Sequence, residues 1–188
     1  MNPSIIMIMV SILWLGSEII LIRVKHSQPT DSRFDRSSLR ILWITIIGSE
    51  TIGVFLGFQR VGHFGKGSLI FPYAGIILVI CGLLFRWFAI LSLKHQFTVD
   101  VSIRKDHRIV SDGIYRVLRH PSYAGSLLSL LGLGLFFANY LSILVIFLPT
   151  CSAFLYRIHI EEKALIETFG DEYLRYCHKT KRLIPGIF

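Results

Sequence analysis

Charged residues are scarce in this chain. Of its 188 residues, 17% are Asp, Glu, Lys or Arg and 53% are hydrophobic, whereas an ordinary soluble domain carries roughly 25% charged residues. The hydrophobic residues also form continuous runs that are longer than the core of a soluble domain requires. The composition therefore excludes a soluble basic domain and predicts an integral membrane protein with several spans.

Cysteine is scarce too, and it is not arranged for metal binding or cross-linking. The three cysteines, Cys81, Cys151 and Cys177, show no CxxC spacing and cannot form an even disulfide framework. Two of them lie in apolar runs, where a cysteine usually behaves as a small hydrophobic residue. We therefore expect neither a disulfide scaffold nor a bound metal.

Two other features are missing. No basic stretch is interleaved with aromatic residues, so the net charge of +8 does not indicate nucleic-acid binding. The residues before the first apolar run contain no Lys or Arg, and the positive charges follow it at Arg23 and Lys25. With no small-x-small cleavage site at the boundary, the first run is interpreted as an uncleaved span rather than a signal peptide.

Five apolar segments are present, and each predicts a membrane-spanning helix. They cover residues 5–22, 41–58, 69–93, 121–137 and 140–156. A helix of about 18 residues rises ~27 Å, close to the ~30 Å thickness of the hydrocarbon core. The last two segments are separated by two residues, which predicts an antiparallel helical hairpin. The expected fold is an all-α membrane protein with five spans in a single domain over 1–188.

Lysine and arginine are distributed unevenly among the polar segments. Seventeen of them lie in the 23–40 and 94–120 loops and in the tail after residue 156, against two in the 59–68 loop. The positive-inside rule therefore places the N-terminus outside and the long loop and the C-terminus in the cytosol.

Three ionisable residues lie inside the predicted spans. Glu18 is one turn from the cytosolic end of its span and is expected to reach water. Glu50 and Arg86 are nine and seven residues from their cytosolic ends, so their depths agree within a few Å. We therefore expect Glu50 and Arg86 to form an ion pair, the alternative being that one of them contacts a substrate.

Two further patterns predict local structure. Ser49, Gly53 and Gly57 recur at every fourth position of the second segment, which predicts close helix packing. The 94–120 loop is too polar to span, and its Val101 and Ile103 alternate with polar residues, which predicts an extended stretch. A long loop held between two spans is also a candidate for function.

Polar residues are concentrated in two stretches that this topology brings to the cytosolic face, 113–125 and 157–173. A fourth span that begins at Pro121 presents free backbone N–H groups there, and these attract anions. Arg157 and Glu161 are four residues apart and share one helix face. The side chains predicted to line one pocket are His120, Tyr123, Arg157 and Glu161.

Each of these residues also has a simpler explanation. Arginines next to a span bind lipid head groups, tyrosines at the interface form an aromatic belt, and neighbouring glutamates are usually solvated. Their joint presence at one face of the membrane favours a site. It also argues against a channel, in which polar residues would run through the spans.

The two polar stretches contain spaced motifs. The first is Gly113-x-Tyr115 followed by Arg119-His-Pro-x-Tyr123-x-Gly125, and the second is Arg157-x3-Glu161-Glu162 followed by Phe-Gly-Asp-Glu-Tyr at 169–173. Together they resemble the isoprenylcysteine carboxyl methyltransferases, although the first motif is shared with related membrane methyltransferases. The resemblance covers about 94–188. The short five-span form is similar to a compact prokaryotic member, such as an archaeal one, which implies the cell membrane.

The resemblance implies S-adenosyl-L-methionine as the cofactor, held at the cytosolic face without a Rossmann fold and released as S-adenosyl-L-homocysteine. It implies that the substrate is the carboxylate of a prenylated cysteine, which enters from the lipid bilayer, and that Arg157 is the catalytic residue on the substrate side. The residues it implies for cofactor binding are His107, Arg108, Ile109, Val110, Tyr115, His120, Pro121, Ser122, Tyr123, Glu161 and Glu162. The chain departs from the family at Asp100, where members carry Gln, so that contact stays open.

Other activities are compatible with parts of the pattern. A carboxylate is already a nucleophilic anion, so a carboxyl methyltransferase has to supply proximity and alignment rather than a general base. A phospholipid or lipid-amine N-methyltransferase shares the His-Pro element but needs a route to deprotonate its amine. A sterol-type reductase has a similar Arg-His pattern and a Tyr-Cys tail like Tyr176 and Cys177 in this chain. Such reductases use NADPH and have more spans.

Overall fold

The computed structural model describes residues 2–24, 32–35, 37–59, 61–65, 67–93, 101–103 and 108–188. Within these ranges the chain is mainly helical. The α-helices are α1 (Pro3–Val24), α2 (Ser37–Gly57), α3 (Ile70–Leu93), α4 (Pro121–Phe136), α5 (Tyr140–Phe169) and α6 (Asp171–Lys179). Two short strands, β1 (Ser32–Asp35) and β2 (Val101–Ile103), pair antiparallel, and Gly113–Arg116 forms a 3-10 turn. The extended stretch predicted around Val101 is confirmed.

Helices α1, α2, α3 and α5 are long and apolar enough to cross a membrane, whereas α4 is equally apolar but has 16 residues. Large apolar side chains on the outer faces of these helices are exposed, for example Leu13 at 71% and Ile44 at 65%. Such surfaces suit lipid and not water. The all-helical membrane architecture predicted from the composition is confirmed, with four helices among the described residues that are long enough to span.

Helix α5 extends well beyond the apolar segment predicted at 140–156. Its 30 residues rise about 45 Å, more than the ~30 Å of a hydrocarbon core. The residues after Tyr156 mix polar and apolar side chains and are mostly good helix formers, so the helix continues beyond the continuous apolar run. It ends at Gly170, whose φ of 52° favours glycine. The last turns of α5 therefore carry Arg157, Glu161 and Glu162 beyond the predicted apolar segment.

Helices α3 and α4 approach each other at the level of their backbones. A Cβ atom at Gly82 would lie 2.6 Å from the carbonyl oxygen of Gly125, and one at Gly125 would lie 2.7 Å from that of Gly82. Gly75 and Gly132 face each other in the same way, at 2.6 and 2.7 Å. Small residues permit such close contact in membrane helices. The glycine of the Arg-His-Pro motif, Gly125, is therefore a packing residue that sets α4 against α3.

Helix α2 packs on α5 through the predicted small-residue stripe. Ser49, Gly53 and Gly57 are all buried in α2. A Cβ atom at Gly53 would collide with the side chain of Ile146, and one at Gly57 with the ring of Phe137. The predicted packing role of the stripe is confirmed.

The loop between α2 and α3 meets the turn between α4 and α5. The Phe64 amide donates to the carbonyl of Ala138 at 2.9 Å, and the Tyr140 amide donates to that of Gly62 at 3.0 Å. Asn139 caps α5 by accepting hydrogen bonds from the first amides of that helix. Since these connections share one end of the molecule, the start of α4 and the end of α5 lie together at the other end.

The charged residues inside the spans do not pair as expected. Arg86 pairs with Glu18, with Nε 2.9 Å from Oε1 and Nη2 donating to Oε2 at 2.9 Å, and its Nη1 donates to Ser126. The predicted Glu50–Arg86 pair is wrong, and Glu18 does not simply reach water. Depth along a span predicts only the level of a residue. Its partner depends on which helices are neighbours in the bundle. Helix α3 packs on α1 and α4, whereas α2 packs on α5.

Candidate active site

The start of α4 is fixed by the C-terminal tail of the chain. The Lys181 amide donates to the carbonyl of Val117 at 2.9 Å, and the Arg119 amide donates to the carbonyl of Lys181 at 2.7 Å. The His120 amide then donates to the carbonyl of Arg182 at 3.1 Å. Residues 117–120 and 181–182 therefore run side by side, and this pairing positions His120 at the beginning of the helix. No pattern in the sequence indicated that the tail returns here.

Glu162 joins three parts of the site. Its Oε1 accepts a hydrogen bond from Arg119 Nε at 2.8 Å and lies 3.4 Å from His120 Nε2. Its Oε2 accepts two hydrogen bonds from Arg182, at 3.0 and 2.7 Å. These bonds raise the pKa of the Arg182 guanidinium, so the tail stays cationic at this contact. With both oxygens engaged by protein groups, Glu162 links α5, the start of α4 and the tail.

Tyr115 ties the 3-10 turn to α3. Its hydroxyl donates to the carbonyl of Ala89 at 3.2 Å, and its own carbonyl accepts a hydrogen bond from the Tyr176 hydroxyl at 2.7 Å. Burial raises the pKa of Tyr115 well above its usual range, so the phenol remains a donor. The side chain is 4% exposed and its oxygen is engaged by the backbone of α3.

Arg157, Tyr123 and Glu161 form a chain of hydrogen bonds. The Tyr123 hydroxyl donates to Glu161 Oε2 at 2.8 Å and accepts a bond from Arg157 Nε at 3.1 Å. Arg157 Nη1 also donates to Ser38 at the start of α2, at 3.0 Å. Arg157 is 2% exposed, so its guanidinium is held in a fixed orientation from two sides.

His120 completes the group of four side chains that the sequence predicted together. Its Nδ1 lies 3.8 Å from Glu161 Oε2. Its ring lies parallel to that of Tyr123, with centroids 5.6 Å apart and 1° between the planes. His120, Tyr123, Arg157 and Glu161 therefore do meet at one place, at the end of the bundle where α4 begins.

The remaining predicted residues lie around this group or outside the described part of the chain. Pro121 and Ser122 are buried in the first turn of α4. Arg108 is exposed, while Ile109 and Val110 are half-buried, in the irregular stretch that leads to the 3-10 turn. His107 and Asp100 lie outside the described residues.

An apolar cavity of about 250 Å³ opens beside Arg157. Tyr123 and Arg157 form a polar part of its wall, and most of the remaining wall is apolar, including Trp14, Leu42 and Phe154. Helices α1 and α2 contribute much of this lining. The role of the first two spans could not be predicted from the sequence. The cavity that they line forms only when α2 packs on α5.

The fold and this site define a helical integral membrane protein with a buried cationic side chain beside an apolar cavity. Comparison with known proteins agrees with that class. The model of the isoprenylcysteine carboxyl methyltransferase family matches residues 75–167, about half of the chain. The chain belongs to the isoprenylcysteine carboxyl methyltransferase family.

Individual relatives support this assignment. A probable protein-S-isoprenylcysteine O-methyltransferase of Oryza sativa subsp. indica is 26% identical over 187 residues, which cover 94% of this chain and 92% of the relative. The protein-S-isoprenylcysteine O-methyltransferase of Saccharomyces cerevisiae is 38% identical over 115 residues, 60% of this chain and 48% of the relative. The solved structure of the eukaryotic intramembrane Ras methyltransferase superposes with a TM-score of 0.57 at 26% identity, over 80% of this chain. The chain spans 51% of the length of that solved protein.

Proposed function

We propose that the protein transfers a methyl group from S-adenosyl-L-methionine to the carboxylate of a prenylated cysteine. The observation that carries this proposal is Arg157, a guanidinium that is 2% exposed and lies in the wall of an apolar cavity. A lipid with a carboxylate head matches that arrangement, because its head can pair with the cation while its chain fills the cavity. Membership of the family supports the same reaction.

Arg157 is suited to orient the acceptor. The hydrogen bonds to Tyr123 and Ser38 hold its planar fork in one direction before any substrate binds. A carboxylate pairs with such a fork through two parallel bonds, which fixes the direction of its oxygens. The apolar surroundings remove water from the carboxylate, and this strengthens the pairing and leaves the nucleophile less hydrated. Since the carboxylate is already an anion, no side chain has to act as a general base.

The group around Glu161 has the chemistry that S-adenosyl-L-methionine requires. The cofactor carries cationic groups and ribose hydroxyls, which need a carboxylate acceptor, and an adenine, which stacks on flat rings. Glu161 has a side chain that is 31% exposed, and the rings of His120 and Tyr123 are parallel. These residues fit the cofactor, which supplies an electrophilic methyl group when it is bound.

The proposal divides the predicted cofactor residues into two groups. His120, Tyr123 and Glu161 are proposed to contact the cofactor directly, Tyr123 through its ring because its hydroxyl is bonded to Glu161 and Arg157. Glu162 and Tyr115 have their side-chain oxygens engaged by the protein, so we assign them to positioning. The other predicted cofactor residues are proposed to line the same pocket, namely His107, Arg108, Ile109, Val110, Pro121 and Ser122.

We also propose the orientation of the protein in the membrane. Helix α4 is assigned as a fifth span that pairs with α5, since its sequence is apolar and three residues join the two helices. The unequal distribution of Lys and Arg then puts the N-terminus outside and the C-terminus in the cytosol. In this orientation the cofactor arrives from the cytosol and the lipid acceptor from the bilayer.

Detection of the product tests this function directly. The purified protein in detergent is incubated with labelled S-adenosyl-L-methionine and N-acetyl-S-farnesylcysteine, and the lipid product is treated with base. A carboxyl methyl ester releases its label as methanol under base, whereas an N-methyl group does not. We expect base-labile product. Label that appears only on a lipid amine such as phosphatidylethanolamine, and is stable to base, would overturn the proposal.

A further inference from the structure

The wall of the apolar cavity also carries polar side chains that the proposed reaction does not use, namely Ser11, Glu18, Glu50, Arg86 and Ser126. Glu50 on α2 lines the cavity. It makes no hydrogen bond or ion pair with the residues that the structure describes. Arg86, the nearest candidate for a partner by depth, is engaged by Glu18 and Ser126. Because ionisable side chains within the membrane are costly and commonly mark a ligand path, Glu50 requires an explanation.

Glu50 lies far from the place where the carboxylate of the acceptor is proposed to bind. Arg157 is bonded to Ser38 at the start of α2, and Glu50 follows twelve residues later on the same helix, about 18 Å along its axis. Apolar side chains of α2 and α4 line the cavity in the same region, among them Leu42, Ile46 and Leu130. A lipid that reached from Arg157 to Glu50 would therefore need an apolar middle and a polar group near its far end.

The charges around Glu50 define that polar group. The charged neighbour of Glu50 is Glu18, which is paired with Arg86, so this part of the cavity holds two carboxyl groups and one guanidinium. A carboxyl group accepts hydrogen bonds at its oxygens. A hydroxyl or an amine satisfies it, whereas a methyl group leaves it without a bond in an apolar environment, which is unfavourable.

We propose that Glu50 is a specificity-determining residue that accepts a hydrogen bond from a hydroxyl or amine on the chain of the acceptor, at the end remote from its carboxylate. The inference rests on the proposed function in one respect, namely that Arg157 holds the carboxylate. The preferred acceptor is therefore a prenyl-type acid with a polar group at its distal end.

Binding can be measured without catalysis, because Trp14 and Trp43 both line the cavity. The probes are N-acetyl-S-geranylgeranylcysteine and its two analogues with a terminal hydroxyl or a terminal amine. Each is titrated into the full-length protein at equal mole fractions in the detergent micelle, and tryptophan fluorescence reports its Kd. We expect at least one polar-ended probe to bind the wild-type protein about tenfold more tightly than the plain one.

Two variants decide whether Glu50 causes that preference. Glu50→Leu should abolish it by weakening the polar-ended probe and tightening the plain one. Thr51→Val is the matched control, because Thr51 is exposed and its hydroxyl is bonded within α2 to the carbonyl of Ile47; it should keep the wild-type preference. A wild-type protein that binds all three probes equally, or a preference that persists in Glu50→Leu, would overturn the proposal.

The remaining outcomes are also informative. If Glu50→Leu does not fold, Glu50→Gln is used, which should lose any preference for the amine because an amide NH2 donor replaces one of the two acceptor oxygens. Unchanged affinities for all three probes in Glu50→Gln would contradict the proposal. Formation of methyl ester is measured with the same probes. Absence of ester with every probe that binds refutes the proposed function, while the fluorescence preference still decides the role of Glu50.

Discussion

Glu162 is the residue on which the geometry of the site depends most. It accepts hydrogen bonds from Arg119 and Arg182 and lies next to His120, and its side chain is 8% exposed. Removing it would leave Arg119, whose side chain is 10% exposed, as a buried cation without its carboxylate. Such an uncompensated charge is strongly destabilising. Glu162 therefore holds its neighbours in place.

The first prediction concerns the stability of this arrangement. Glu162→Ala should lower the free energy of unfolding by about 3–5 kcal/mol, the range for breaking a buried ion pair, and this appears as a large fall in Tm in detergent. Glu167→Ala is the control, because that carboxylate is 53% exposed and lies 4.0 Å from Lys163, where a pair contributes about 0–1 kcal/mol. Equal shifts in Tm for the two variants would show that Glu162 is not a structural link.

Sequence patterns predicted which side chains lie together at the candidate site better than they predicted the individual contacts. Helical spacing was enough to place Arg157 and Glu161 on one face, and the hydrogen bonds through Tyr123 agree with it. The engagement of Glu162 by Arg182 was not predictable, because it depends on where the tail returns. Depth within the spans likewise placed Glu50 and Arg86 at one level without identifying Glu18 as the partner of Arg86.

At the scale of the helices, the position of α4 is set by glycine contacts with α3. The backbone of α4 carries His120 and Tyr123 at its start, so any separation of α3 from α4 displaces both side chains. A Cβ atom at Gly125 would lie 2.7 Å from the amide nitrogen of Arg86 and from the carbonyl oxygen of Gly82. Both are backbone atoms, which cannot move aside as a flexible side chain can.

The second prediction follows from this contact. Gly125→Ala should lower Tm and the rate of methyl transfer together, because overpacking costs typically ~1–3 kcal/mol and shifts the start of α4. Gly48→Ala is the matched control, since a Cβ atom there meets nothing within 4 Å. In a helix interior that change is expected to be neutral or stabilising by up to ~1 kcal/mol. If Gly125→Ala behaves like Gly48→Ala, the motif glycine is not a packing residue.

The helical segments were largely predictable from apolar runs, and the exceptions have physical causes. The start of α4 at Pro121 agrees with the sequence because proline favours the first helical turn. The continuation of α5 to Phe169 was missed, since the prediction followed continuous apolar runs and those turns mix polar and apolar residues. They are held by contacts with α4 and the tail that appear only in the assembled fold.

At the scale of the whole molecule, the distribution of charge defines the proposed orientation. The α2–α3 loop and the α4–α5 turn lie together at one end, and this end contains few Lys and Arg residues. The candidate site and the C-terminal tail lie at the other end. The proposed delivery of a polar cofactor and a lipid acceptor to one site depends on this arrangement.

The third prediction tests the orientation. In a variant with its three native cysteines replaced by alanine, a single cysteine at the exposed Gln59 should react with an impermeant maleimide added to intact cells. A single cysteine at the exposed Lys179 should react only after the membrane is opened. Labelling of Lys179→Cys in intact cells, with protection of Gln59→Cys, would reverse the proposed topology and place the cofactor pocket outside.

The central claim is that the buried guanidinium of Arg157 orients a lipid carboxylate for methyl transfer, and one substitution tests it most directly. Arg157→Lys keeps the charge but loses the planar fork. We expect methyl ester formation on a prenylcysteine acid to fall about a hundredfold, equivalent to about 3 kcal/mol. Affinity for S-adenosyl-L-homocysteine, measured by calorimetry, should hardly change.

Arg175→Lys is the control for this measurement, because Arg175 is exposed on α6 and its replacement should leave both quantities unchanged. The account predicts a loss of turnover in Arg157→Lys with intact cofactor affinity. Near-full turnover in Arg157→Lys would contradict the requirement for a two-point contact. Loss of cofactor binding in that variant would instead assign Arg157 to the cofactor pocket.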